Sequence, residues 1–159
     1  GGINAAAQAG IEMESGEPNK SNHLKGKIDA RINNDLLIEM DELKTIISKG
    51  KNYILIDSRS PERYKGLIEP YDKIPGRIPT SINIFFKDVM NENRIKEIED
   101  LKKVYNNIDS DKMVIAYCGS GVTAPINIVA MDEVGLYSRL YLGSYSDYVS
   151  YKDNVIEKD

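Results

Sequence analysis

Two stretches of the chain are apolar without interruption, YILI at Tyr53–Ile56 and MVIAY at Met113–Tyr117. A strand exposed on one face alternates apolar and polar residues. Unbroken runs therefore predict strands covered on both faces, as in a parallel α/β sheet. Shorter strands are predicted at Leu36–Ile38, at Ile82–Ile84 and within SRLYLGS near residue 140. The segments between them carry helical spacing. In DELKTIISKG, Leu43, Ile46 and Ile47 share a face, Asp41 can cap the helix and Gly50 ends it. NRIKEIEDLKKVYNNI sets Ile95, Ile98, Leu101 and Val104 at helical intervals, and APINIVAMDEVGL predicts a helix ending at Gly135. The end, YSDYVSYKDNVIEKD, predicts irregular or weakly helical chain. Strands alternating with helices indicate the α/β class.

Residues 1–27 differ from the rest. A short helix is predicted around NAAAQA, followed by ESGEPNKSN, whose polar and turn-forming residues read as linker.

In parallel α/β sheets, ligands bind beyond the carboxyl ends of the strands. Asp57 and Cys118 each follow a strong strand at that end. Cys118 is the sole cysteine and opens the loop Cys118-Gly119-Ser120-Gly121-Val122-Thr123, after which a helix begins with Pro125 in its first turn. Two glycines let successive N–H groups turn toward one point, and a helix N-terminus adds partial positive charge. The expected result is a cup of donors that stabilises a thiolate, a persulfide or a bound oxyanion. An ordinary cysteine titrates near ~8.5, and such surroundings lower that value. Lone cysteines are often simple packing residues. The placement between strand end, glycine loop and helix start favours chemistry here. Ser120 and Thr123 are then either capping residues or hydroxyl donors to sulfur and substrate.

Length and charge narrow the remaining classes. The 159 residues suit one domain and can bury a core without disulfides. The net charge of −4 argues against a general binder of nucleic acid or anionic membrane. One cysteine forms no internal disulfide and no cysteine-cluster metal site, and a free thiol fits a reducing compartment, so a cytoplasmic location is expected. No apolar stretch reaches the ~18 residues of a membrane helix.

Cations are supplied by the segment from Arg59 to Arg77, five basic residues against three acidic in an otherwise acidic chain. Lys65 and Lys73 read as solvated surface. The first arginines are placed to lean over the cup, where a guanidinium fork suits a carboxylate or sulfonate-like anion. Asp57 reads as a structural acceptor rather than a general base. His23, the only histidine, falls in the linker, so a Cys–His dyad within the chain is not expected.

The motifs LIDSRSPERYKG, IPGRIPTSINI, VIAYCGSGVTA and LYLGSYSDY, in this order, resemble a rhodanese domain, and most closely the catalytic second domain of tandem thiosulfate/3-mercaptopyruvate sulfurtransferases. The resemblance covers roughly residues 28–157. It implies a doubly wound fold, with a central parallel sheet flanked by helices. It divides the chain into residues 1–27, the end of a preceding rhodanese domain and its linker, and residues 28–159, the catalytic domain. It implies that Cys118 takes sulfur from thiosulfate or 3-mercaptopyruvate as a covalent persulfide and passes it to cyanide or a thiol, a thioredoxin-like protein included. No metal or organic cofactor is implied. Gly119, Ser120, Gly121, Val122 and Thr123 would cradle the persulfide, Arg63 would bind the donor anion, and Asp57 and Arg59 would support the site.

Three departures from the family pattern bear on the donor. Gly119–Ser120 replaces the basic pair of thiosulfate-preferring relatives, which tilts the expectation toward 3-mercaptopyruvate. Arg77 occupies a position usually held by histidine. Tyr71 stands where mercaptopyruvate enzymes often carry a second arginine, so the carboxylate clamp is either incomplete or completed by Arg77 instead. A cysteine phosphatase would need an arginine six residues after Cys118, where the chain has Ala124. A persulfide carrier with little turnover remains the alternative to an enzyme.

Overall fold

The computed structural model describes residues 2–17, 26–31 and 33–159, so the linker placement of His23 lies outside the described residues. The chain begins with helix α1, Gly2–Gln8, which buries no residue. A 3₁₀ turn at Asn34–Leu36 leads into strand β1, Leu37–Ile38, and helix α2, Met40–Lys49. The first residue of the predicted strand is thus part of the turn. The cap of α2 is Glu39 rather than Asp41, because only one residue separates β1 from the helix and buried Met40 already belongs to it. Asp41 instead adds negative charge to the first turn, where it favours the dipole. Gly50 ends the helix at φ +64, as the pattern predicts.

Strand β2, Tyr53–Asp57, is followed by a one-turn helix α3, Pro61–Tyr64, in what the sequence marks only as a polar segment. Strand β3 is Ile82–Asn83. Ile95 belongs not to a helix but to a hairpin of β4, Met90–Asn91, and β5, Arg94–Ile95. Glu92 at φ +52 makes the tight turn, so polar Asn91–Asn93 break the helical spacing. Helix α4 starts only at Ile98 and runs to Val104. Strand β6, Met113–Tyr117, helix α5, Ala124–Glu133, strand β7, Ser138–Tyr141, and helix α6, Ser144–Tyr148, complete the order.

Five strands form one parallel sheet in the order β1-β7-β6-β2-β3. The central pair runs in register from Tyr53 opposite Met113 to Asp57 opposite Tyr117. Side chains of both central strands alternate between two cores. Leu55, Ile115 and Tyr117 pack with Leu43 of α2 and Tyr145 of α6. Ile56, Val114, Ala116 and Cys118 pack with Leu101 of α4 and Met131 of α5. This two-sided burial explains the unbroken apolar runs. Each fully buried leucine adds roughly 2 kcal/mol of transfer free energy.

The topology locates the site. From β2 the chain proceeds to β3 on one side, whereas from β6 it proceeds to β7 on the other. The connections diverge between β2 and β6 and leave a crevice at their carboxyl ends. Ser58 and Cys118, the residues immediately after those strands, lie there, and Ser58 N–H donates to Tyr117 C=O at 2.8 Å.

Candidate functional site

Cys118 is fully buried and yet forms part of the floor of a cavity of about 600 Å³. The loop after it folds back over the sulfur. Gly121 makes the reversal at φ +78, and an added Cβ there would lie 2.5 Å from Leu142 C=O. The return brings Thr123 N–H to 3.4 Å from Sγ. Burial pushes the Cys118 thiol up. The Thr123 hydroxyl and the N–H groups of Ala124, Thr123 and Ser120 push it down, and together they win, so the thiol lies below its ordinary value. Among the described residues the loop donor in hydrogen-bond contact with the sulfur is the Thr123 N–H, while Gly119, Ser120, Gly121 and Val122 shape the loop. Val122 is exposed at the mouth.

A second support comes from the β7–α6 turn. Ser144 is buried at φ +57, accepts from Cys118 N–H at 3.2 Å, and places its hydroxyl 3.0 Å from Tyr141 C=O and 3.9 Å from Sγ. Sequence spacing gives no hint of this contact, because Ser144 lies 26 positions from Cys118.

Arg59 and Arg63 have different duties. Arg59 donates through Nε to both Asp57 oxygens at 3.0 and 3.1 Å, through Nη2 to Asp57 and Gly76 C=O at 2.6 Å each, and through Nη1 to Glu69 at 3.1 Å. Burial opposes its charge, but Asp57 and then Glu69 hold its pKa above the ordinary value. Asp57 and Arg59 are therefore a buried strut beneath the site, with Arg59 also stacked 3.9 Å from the Tyr145 ring centroid. Arg63 reaches the cavity. Glu69 takes its Nε at 3.1 Å and its Nη2 at 2.7 Å. Among the described residues no hydrogen-bond partner uses Nη1, which would lie 3.3 Å from a Cβ added at Gly119. Glycine at 119 lets the guanidinium rest against the cysteine loop.

Glu69 is the residue that spacing alone does not reveal. Its side chain is 1% exposed and bridges both arginines, and Asp57, Glu157 and Asp159, all outside the Arg59–Arg77 segment, pair with Arg59 and Arg77 as well. Tyr71 is 82% exposed, lines the cavity and lies 5.1 Å from the Arg63 carbon.

Arg77, expected as a substitute clamp, does not line the cavity; its guanidinium donates to Glu157 and Asp159 at 2.7 Å each and to Tyr64 C=O at 3.4 Å. Its backbone pairs with Glu157 in both directions, at 2.8 and 3.1 Å. Arg77 ties residues 157–159 to the loop before β3, and its two carboxylate partners occupy the charge expected for a donor. Its Nε is buried and has no hydrogen-bond partner among the described residues.

A family model described as a rhodanese-like domain matches residues 39–151. A Pseudomonas aeruginosa protein named probable 3-mercaptopyruvate sulfurtransferase is 31% identical over 156 residues, covering 94% of this chain and 53% of that protein. A Schizosaccharomyces pombe protein of the same name is 33% identical over 157 residues, covering 92% and 52%. This chain therefore spans about half the length of the curated relatives it matches. A sulfur transferase subunit of yeast mitochondrial complex I superposes with a TM-score of 0.71 at 24% identity, over 87% of this chain and 54% of that one, a likeness of fold. The match across both central strands and the cysteine loop, joined to the parallel sheet and its order, shows that the chain belongs to the rhodanese-like domain family.

Proposed function

We propose that the domain is a sulfurtransferase that carries sulfur on Cys118, with 3-mercaptopyruvate the favoured donor and thiosulfate the second. The supporting observation is the sulfur itself, set at the cavity beyond the carboxyl end of β6 with the Thr123 N–H 3.4 Å and the Ser144 hydroxyl 3.9 Å from Sγ, surroundings in which its pKa lies below the ordinary value. The relatives' names point to the same reaction class.

The chemistry closes without a cofactor. The Cys118 thiolate attacks the sulfur of 3-mercaptopyruvate, the carbon–sulfur bond breaks, and its electron pair goes to carbon as an enolate. The donor's thiol proton ends on that carbon, giving pyruvate, and the enzyme holds a Cys118 persulfide anion. Cyanide or a thiolate then attacks the outer sulfur, and the sulfur–sulfur bond electrons return to Cys118. With thiosulfate the leaving group is sulfite. The amides around Sγ are oriented beforehand, so they stabilise the leaving thiolate without reorganising. Arg63 Nη1 is the hydrogen-bond donor available for the donor's carboxylate. A reducing compartment, a thioredoxin-like acceptor and a second rhodanese domain in a longer protein belong to the same proposal.

The test is intact-protein mass spectrometry after exposure to each donor. One added sulfur is expected on the wild type and none on Cys118→Ser. Cyanide should discharge the adduct as thiocyanate. A wild-type protein that acquires no sulfur from either donor ends the proposal.

A further inference from the structure

We infer that Lys87 is a second cation for the donor's anionic end, acting with Arg63 Nη1; this rests on the sulfurtransferase reading and adds a specificity residue to it. The charge inventory of the cavity leads here. Its lining contains Arg59, Arg63 and Lys87 and no carboxylate. Arg59 is spent, because each of its guanidinium nitrogens already has an acceptor and its side chain is 1% exposed. Arg63 shares its charge with Glu69, which takes two of its nitrogens. With Asp57 against Arg59 and Glu69 against Arg63, the uncompensated positive charge at the cavity is that of Lys87. Among the described residues Lys87 has no ion pair, and its Nζ lies 5.9 Å from the Phe85 ring centroid.

The segment that carries Lys87 is held in place relative to the sulfur. Phe86 N–H donates to Ser58 C=O at 3.1 Å, which ties the segment to the end of β2. Asn127 of α5 donates to Ile84 C=O at 2.9 Å and to the Ser58 hydroxyl at 2.8 Å. The Phe85 and Phe86 rings meet edge to face at 4.9 Å, and both line the cavity with Lys87. Lys87 lies in a second 3₁₀ turn, Phe86–Val89, and Asp88, next along it, does not line the cavity. Tyr71 brings no charge to the wall it occupies, so an anion entering over Cys118 meets one free guanidinium nitrogen and one ammonium. A small donor with a carboxylate separated from its sulfur fits this arrangement, and charge rather than shape sets its affinity.

The experiment measures sulfur loading of Cys118 against 3-mercaptopyruvate concentration in wild type, Lys87→Gln, Lys87→Arg and the exposed control Lys73→Gln. Lys87→Gln should raise the half-saturating concentration by roughly three- to ten-fold, the scale of one partly screened charge contact. The saturated rate should stay within about two-fold, as for an interaction made equally in ground and transition states. Lys87→Arg should restore the wild-type value, Lys73→Gln should match it, and added salt should weaken donor binding less in Lys87→Gln than in wild type. Circular dichroism checks that each variant is folded. An unchanged half-saturating concentration in Lys87→Gln, with the wild type loading normally, overturns the role of Lys87 and leaves the sulfurtransferase reading standing. Failure of the wild type to load brings down both.

Discussion

Glu69 grips Arg63 with both carboxylate oxygens, Oε2 at 3.1 Å from Nε and Oε1 at 2.7 Å from Nη2, and holds both terminal nitrogens against Gly119 of the cysteine loop, with Nη1 left without a hydrogen-bond partner among the described residues. The same carboxylate accepts from Arg59, so one buried anion orients two cations. Glu69→Gln removes that charge while keeping the shape. Breaking a buried pair on one side costs about 3 kcal/mol, because uncompensated charge remains inside. Urea unfolding should show a loss of this order, and the donor KM should rise as Arg63 loses its fixed orientation. A variant as stable as wild type would remove Glu69 from this role.

Arg63→Ala should raise the donor KM more than it slows attack by the acceptor, because the arginine touches the donor's anion and not the departing sulfur. Steady-state kinetics at varied donor and varied acceptor separates the two. An unchanged donor KM would count against the arginine as a clamp.

The lowered thiol pKa has a measurable sign. Above the folded-state pKa Cys118 is a thiolate, and because that pKa lies below the ordinary value, alkylation should reach half its maximal rate at a lower pH than in a free cysteine peptide. Thr123→Val removes the hydroxyl donor and should move the midpoint upward. Iodoacetamide rates across pH, compared with a free cysteine peptide, give both values. A midpoint at or above that of the peptide contradicts the cup.

Gly121 tolerates no side chain. The added methyl of Gly121→Ala would meet Leu142 C=O at 2.5 Å on a backbone already at φ +78. Strain of about 1–3 kcal/mol is expected, together with displacement of the Thr123 N–H from the sulfur. Thermal unfolding and sulfur loading should both fall. Gly135→Ala also sits at positive φ, at +76, but an added Cβ meets nothing within 4 Å, so it should cost stability and leave loading intact.

Acid should loosen the end of the chain before the core. Arg77 holds the Glu157 carboxyl below its ordinary pKa, assisted by Thr80 N–H. A depressed folded-state pKa contributes stability that is present above the unfolded value near 4.5 and is lost as pH falls through the folded value. Glu157 is partly exposed, so solvent screens much of the effect. Proteolysis or hydrogen exchange at 155–159 should increase as pH falls below about 4.5. Glu157→Gln should show the same looseness at neutral pH.

Much of this architecture was legible in the residue pattern, for a physical reason. The continuous apolar runs at Tyr53–Ile56 and Met113–Tyr117 require cover on both faces, and few folds supply it. The placement of Cys118 followed from chain connectivity, since a loop after a buried parallel strand must emerge at its carboxyl end. The hairpin at 90–95 escaped the same reasoning, because Ile95 satisfies helical spacing by chance and the turn at Asn91–Asn93 outweighs it.

The sequence by itself determined the alternation of strands and helices, the position of the thiol and the small-residue loop that lets amides converge on it, because each depends on neighbours along the chain. Only the tertiary structure decided which cations remain free. Arg59 is paired with Asp57, two positions away, but Glu69, Glu157 and Asp159 lie 10, 80 and 82 positions from their arginine partners Arg59 and Arg77. Coulomb attraction and burial act on distance in space, so a count of charges along the Arg59–Arg77 segment cannot tell that Arg77 is committed elsewhere while Lys87, outside that segment, faces the sulfur's cavity.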